Sequence, residues 1–432
     1  MARSWLDIPP SSPFSLANIP FGIISTKSNS THRPAIAIGD YALDLSIFAS
    51  QGGFSRLPAI ESHLSVFSQT TLNDFAALGR AIHRETRTYI QKILQKDGPF
   101  PSILRDNAQL REHVLIPLSS IQNHLPMSIG DYTDFYVGLN HAFNVGVLFR
   151  GPDNALQPNY KHLPVGYHGR ASSVVISGTP IRRPHGQIIL DPAATPKVPT
   201  YSACGKLDIE LELAAFLCKP NHLGYPIPID DAAEHIFGLV LMNDWSARDV
   251  QAWEYVPLGP FTSKNFGTTI SPWIVLMDAL EPFRSTSRVG DAEHRENLLP
   301  YLREQRHDTV YDINFRIDIQ TPASSEKVLF STGNARDLLF SFPQLVAHHT
   351  VTGCNMNTGD LLASGTISGA EPGTLGSFLE ATKSGKEPVT LANGEKRRFL
   401  EDGDTITITG TAGKEGEYVG FGECTGVILP AL

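Results

Sequence analysis

Leu207-Asp208-Ile209-Glu210-Leu211-Glu212-Leu213 alternates apolar and acidic residues without a break. That period of two is the signature of a β-strand, whose successive side chains point to opposite faces. Glu210 and Glu212 should share one face, with Asp208 beside them, and the four apolar residues should face a core. Like charges stacked this way repel unless something positive lies between them. A cluster of carboxylate oxygens suits a hard cation such as Ca²⁺ or Mg²⁺. The competing reading is a strand edge whose acids face water.

The chain around this strand has 432 residues, enough for about two domains at the usual ~100–200 residues each. Short β-runs bounded by Gly and Pro dominate after residue 118, as in Ser173-Val174-Val175-Ile176-Ser177-Gly178 and Asp404-Thr405-Ile406-Thr407-Ile408-Thr409-Gly410. They predict a mainly β (α+β) architecture with few, short helices. Before that point, Phe21–Ser25 and Ala35–Gly39 read as strands, and 71–96 as one amphipathic helix through Leu72, Phe75, Leu78, Ile82, Tyr89 and Ile93. We place the domain boundary near 118, giving units 1–118 and 119–432. The stretch 284–310, rich in Arg, Glu and His, reads as an exposed insertion.

A net charge of −9 and a pI of about 5.9 argue against a broad basic surface for nucleic acid. The four cysteines, Cys204, Cys218, Cys354 and Cys424, form no C-x-x-C pair and fit reduced thiols in the cytoplasm. No apolar run approaches the ~20 residues of a membrane span, and the N-terminus carries no signal-peptide pattern.

Four segments could carry chemistry. Asp131-Tyr-Thr-Asp134-Phe-Tyr136 is followed by His141 and Arg150. Asp134 is a candidate metal ligand and His141 a candidate general base, against a plain structural histidine. In Met242-Asn-Asp244-Trp-Ser246-Ala-Arg248-Asp249-Val-Gln251 an apolar strand runs into a helix, and Ser246-x-x-Asp249 resembles a capping box. Arg248, Gln251 and Tyr255 fall on one helical face, which suits a carbonyl or anion clamp or an ordinary solvated face. Gly259 to Thr269 is a glycine-bounded loop with Lys264, lacking P-loop spacing; a surface lysine is the alternative there. Gly359 to Gly369 is small and glycine-rich, which lets backbone approach a ligand or simply makes a turn. Glu380 beyond it carries no pattern of its own.

Taken together, Gly130–Tyr136, His162-Leu-Pro-Val-Gly-Tyr-His-Gly-Arg-Ala-Ser-Ser173, Leu207–Leu213, Met242–Asp249 and Gly365-Thr-Ile-Ser-Gly369 resemble the fumarylacetoacetase family, in order and over nearly the whole chain. The resemblance implies a small N-terminal SH3-like barrel, a large C-terminal β-roll and a homodimer. It implies hydrolysis of a carbon–carbon bond in a small-molecule 1,3-diketo acid, the last step of tyrosine and phenylalanine breakdown. It also implies roles by position. Asp134, Glu210, Glu212 and Asp244 match the family's metal carboxylates, usually for Ca²⁺, with a Mg²⁺ site through Asp244, Lys264 and Thr268. His141 matches the general base and Glu380 the acid that orients it. Arg248, Gln251 and Lys264 match the oxyanion donors. Tyr136, Arg150, Tyr167, Gln251, Tyr255 and Thr366 match substrate-binding positions. Val137-Gly138-Leu139-Asn140 departs from the family pattern next to His141. Rival readings are a related metal-dependent decarboxylase, isomerase or hydratase, and a non-catalytic Ca²⁺-stabilised protein.

Overall fold

The computed structural model describes residues 3–191 and 193–432. The fold is mixed α/β and mostly β, built on three main sheets. The N-terminal sheet is antiparallel, in the order Leu115–Pro117 (β4), Tyr41–Asp44 (β3), Arg33–Ile38 (β2), Phe21–Thr26 (β1) and Ile121–His124 (β5). Its last strand lies a few residues beyond 118. Helical segments cover this sheet around an aromatic core that includes Phe48, Phe54, Phe67 and Phe75.

The single helix expected over 71–96 is two. Asn73–Ala76 ends, and Arg80–Leu94 (α1) begins after Gly79 at φ +86°. That left-handed residue cannot continue an α-helix, and the apolar spacing runs across the break without registering it.

The central sheet carries the site. In the order across the sheet its strands are Gly166–His168 (β7), Tyr132–Phe135 (β6), Leu361–Ala363 (β12), Leu211–Leu217 (β9), Ile236–Asp244 (β10), Thr268–Ile270 (β11) and Val174–Ile176 (β8), with Val275–Leu276 also paired to β10. Both faces are buried. Leu211, Leu213, Ala215 and Leu217 join the large C-terminal core, while Ala214 and Phe216 join the N-terminal aromatic core. Phe237 meets Phe75 edge-on at 6.0 Å, a contact worth ~0.5–1.5 kcal/mol beyond its area. The sheet is therefore a wall between two cores. The solvated-edge reading of the acids is excluded, because Asp208, Glu210 and Glu212 are all buried.

The alternating run itself is broken. Leu207–Asp208 pairs with Ser246–Ala247, and β9 starts only at Leu211. Ile209 and Glu210 leave the ladder, and the Glu210 amide donates to the Asn243 side chain instead (3.0 Å).

A second five-stranded sheet, Val328–Asn334, Asn314–Gln320, Thr405–Ala412, Val419–Leu429 and Ile181–Arg182, packs against the central one. The stretch 284–310 is less peripheral than its polarity suggests. Arg284–Ser285 pairs with Val310–Tyr311, and Leu298 and Leu302 are buried in the C-terminal core. Two of its charges also turn inward: the Arg284 side chain is nearly buried, and Glu304 accepts from the Ser341 hydroxyl (2.6 Å). Among the described residues, no helix is long and apolar enough to cross a membrane.

Candidate active site

Strand register brings three acids and two hydroxyls to one end of the central sheet. Asp134 is the last but one residue of β6, opposite Tyr167 of β7, Glu212 is the second residue of β9, and Asp244 ends β10 opposite Thr268 of β11. Carboxylate oxygens of Asp134, Glu212 and Asp244 lie within 4.8 Å of one another, and all three side chains are buried. Glu212 accepts from the Gly365 amide (3.1 Å). Asp244 accepts from Thr268 Oγ1 (2.6 Å), from the Tyr167 hydroxyl (3.0 Å) and from Lys264 Nζ (2.8 Å). Asp134 Oδ1 and Glu212 Oε1 have no partner although both are sealed from solvent. Burial, then repulsion from the neighbouring acids, pushes both carboxyls well above the ordinary range. Unpartnered buried oxygens in an all-oxygen set are what a hard divalent cation would satisfy. The residues present therefore fit a metal ion.

Glu210 stands apart from this triad. It is ion-paired to Lys264 and to Arg248 Nη1 (2.7 Å). Burial opposes its charge, but Arg248, Lys264 and His141 outweigh it and hold the carboxyl down to about 2. Lys264, which as a lone loop residue reads as a surface lysine, is buried between Glu210 and Asp244, and its ammonium is held charged despite burial.

His141 lies in the first turn of helix Leu139–Arg150 (α2). Its Nδ1 is 2.6 Å from Glu380 Oε2, and its Nε2 is 4.0 Å from Glu210. Burial alone would raise the Glu380 carboxyl, but His141, Asn144 and Ser377 keep it below the usual range. An ionised acceptor puts the imidazole proton on Nδ1 and leaves Nε2 as the basic nitrogen. Tyr136 packs edge-on to the ring at 5.5 Å.

Gly138, at the head of α2, touches the Thr366 carbonyl so closely that any Cβ would collide with it. Asn140 donates to Ser368 O (3.0 Å). The departure at 137–140 therefore packs against the 365–369 turn.

Helix Arg248–Glu254 (α3) presents Arg248, Gln251 and Tyr255 to the same space. The expected capping box at its start is absent. Ser246 lies in a strand pair and donates to Asp244 O, and Asp249 accepts from Cys204 Sγ and the Gly205 amide. Arg248 donates to Gln251 Oε1 (3.3 Å), while its Nη2 is buried without a partner.

These groups line a cavity of about 590 Å³. Asp134, Glu210, Glu212, His141, Arg248, Gln251 and Lys264 form its polar wall, with Tyr136, Arg150, Tyr167, Tyr255 and Thr366 around it. Arg150 is anchored by the carbonyls of Asn154 and Ala155. Asp244, Thr268 and Glu380 stand behind this wall, reaching it only through their partners.

Three residues went unread in the sequence. Asn144 donates to Glu380 Oε1 (2.9 Å), and Ser368 and Ser377 donate to Oε2 (2.9 and 2.7 Å). Asn144 is one turn past His141, a spacing legible on any helix. Ser377-x-x-Glu380 is a helix-start pattern, and Ser377 does cap helix Phe378–Ala381 (α4).

The chain matches two family models that together span most of its length: Fumarylacetoacetase N-terminal over residues 17–126 and Fumarylacetoacetate (FAA) hydrolase C-terminal over residues 132–428. It is 68% identical over 429 residues to a fumarylacetoacetase of Emericella nidulans, covering 99% of both chains. It is 49% identical over 431 residues to the Homo sapiens fumarylacetoacetase, again covering 99% of both. Among solved structures, a fumarylacetoacetate hydrolase from psychrophilic Exiguobacterium antarcticum shares the fold at TM-score 0.51 and 15% identity, covering 95% of this chain and 99% of that one. On this full-length likeness, the chain belongs to the fumarylacetoacetase family.

Proposed function

We propose that the chain hydrolyses the carbon–carbon bond of fumarylacetoacetate to give fumarate and acetoacetate, the last step of tyrosine and phenylalanine breakdown. The observation that carries this reading is that His141, bonded to Glu380, lines the same cavity as Arg248, whose Nη2 is buried without a partner. Family membership supplies the substrate class. His141 Nε2 takes a proton from water, whose oxygen attacks the substrate carbonyl. Negative charge develops on that carbonyl oxygen, where Arg248, Gln251 and Lys264 offer donors fixed before reaction. The tetrahedral centre collapses, the carbon–carbon bonding pair leaves with the acetoacetate carbon as an enolate, and the His141 imidazolium returns its proton there. Tyr136, Arg150, Tyr167, Tyr255 and Thr366 would orient the diketo acid.

Asp134, Glu212 and Asp244 would hold the divalent cation, with Glu210 as a neighbouring charge. Such a cation supplies Lewis acidity and fixed positive charge at the wall. The all-oxygen set suits Ca²⁺ or Mg²⁺. A Mg²⁺ beside Asp244 and Thr268 would meet Lys264 as a neighbouring charge, since an ammonium has no lone pair to donate. We infer also an SH3-like barrel in 1–118, a catalytic β-roll in 119–432, a homodimer and a cytoplasmic location. Family resemblance supports the first three, and four free cysteines support the last.

The test is direct. Purified protein is given fumarylacetoacetate, and substrate loss is followed alongside acetoacetate release. Stoichiometric release supports the hydrolase. Consumption with carbon dioxide release or isomer formation, and no acetoacetate, would replace it with a related oxo-acid enzyme.

A further inference from the structure

Asp208 lies beside Glu210 and Glu212 in the sequence, yet its side chain joins neither. Its side chain is fully buried and receives four donors. Oδ1 accepts from the amides of Ile209 (2.8 Å) and Phe378 (2.7 Å). Oδ2 accepts from the Leu379 amide (2.8 Å) and from Arg248 Nε (2.9 Å). A carboxylate offers about four lone-pair sites, so Asp208 is saturated and has none left for a metal or a substrate.

Three of those donors come from two separate elements beside the cavity, Arg248 of α3 and the Phe378 and Leu379 amides of α4. Phe378 and Leu379 open α4, which has four residues and cannot hold its own geometry. The next residue is Glu380, bonded to His141 Nδ1. Arg248 turns its other edge to Glu210, which lies 4.0 Å from His141 Nε2. The contacts close a ring: Asp208, Arg248, Glu210, His141, Glu380 and back through α4 to Asp208.

On the proposed hydrolase reading, we propose that Asp208 is a positioning residue that fixes Glu380 against His141 and aims Arg248 into the cavity from one shared carboxylate. An asparagine fills the same volume but must turn its NH₂ either toward the Leu379 amide and Arg248 Nε or toward the Ile209 and Phe378 amides, donor against donor. The ring then opens on one side with no change in packing volume.

The test uses the full-length, metal-loaded Asp208→Asn protein, with Asp208→Ser as a second variant should the first fail to fold. Two readouts are taken. One is the kcat and KM for fumarylacetoacetate. The other is the hydrogen-bonded Nδ1 proton of His141 in the NMR spectrum, assigned by its absence in His141→Asn. We expect kcat to fall about 10²-fold with KM near wild type, as misplacement of a catalytic pair on the ångström scale does, and the Nδ1 resonance to be lost. A folded variant with wild-type kcat and an unshifted resonance overturns the proposal. Wild-type protein inert toward fumarylacetoacetate would sink the hydrolase reading instead. The resonance then decides alone: its loss in the variant supports the positioning role and its retention rejects it.

Discussion

His141 Nδ1 lies 2.6 Å from Glu380 Oε2, although 239 positions separate the two residues in the chain. Neither is bonded to the metal triad, so the pair can be tested separately from metal binding. A positioned general base contributes ~10²–10⁴-fold to rate. We expect His141→Asn to lower kcat within that range while the protein stays folded and metal-loaded. Glu380→Gln should act through the same imidazole, so the double variant should be little worse than His141→Asn. Multiplicative losses in single-turnover rates would separate Glu380 from the base.

The metal triad makes a stability prediction that needs no substrate. Asp134 Oδ1 and Glu212 Oε1 are buried without partners, and burial together with the neighbouring acids, Asp244 foremost for Asp134 and Asp134 for Glu212, raises the proton affinity of both. A bound divalent ion relieves both costs and stabilises the fold by mass action. Chelation should lower the Tm of the wild type. Asp134→Asn should bind little metal and show a Tm insensitive to chelator. Stoichiometric metal in that variant by elemental analysis would exclude the triad as the site.

Gln251 tests the donor side. It accepts from Arg248 Nη1 and lines the cavity beside the unpartnered Arg248 Nη2. A contact that strengthens as charge develops raises kcat, whereas uniform binding alters KM alone. Gln251→Ala should therefore lower kcat more than it raises KM, with a loss approaching the ~10²–10³ of one oxyanion donor. An effect confined to KM would make Gln251 a ground-state contact.

The alternation at 207–213 was legible because a strand's period is two and acids are rare in buried strands. Which acid does what was not. Period assigns a face, whereas Asp208, Glu210 and Glu212 part company where Ile209 and Glu210 leave the ladder. The first then binds Arg248 and α4, the second ion-pairs with Lys264, and the third joins Asp134. Lys264 looked like a surface residue because a loop lysine usually is, and only tertiary burial between two acids changes that. The helix break at Gly79 was hidden by apolar spacing that spans it. Ser377-x-x-Glu380 was readable as a helix start, but its glutamate, besides accepting from its own cap residue, also meets a histidine from another helix, which local sequence cannot announce.

His83 offers a pH prediction away from the site. It is buried in the N-terminal core, where its Nε2–H donates to the carbonyls of Phe75 and Ala76. Burial pushes its pKa down to about 4, against those carbonyls, which favour the charged form. In the unfolded chain the ring protonates near 6.5. Between those values the unfolded state binds a proton that the folded state refuses, so stability falls as pH falls through that window. The contribution is intact above about pH 6.5, and its loss reaches ~3 kcal/mol near pH 4. His83→Gln cannot titrate, so whatever its offset at neutral pH, its unfolding free energy should decline less steeply between pH 6.5 and 4. Denaturant midpoints for both proteins across that range give the difference curve directly. Parallel curves would mean that His83 takes up its proton in the folded state, and that the Phe75 and Ala76 carbonyls outweigh burial.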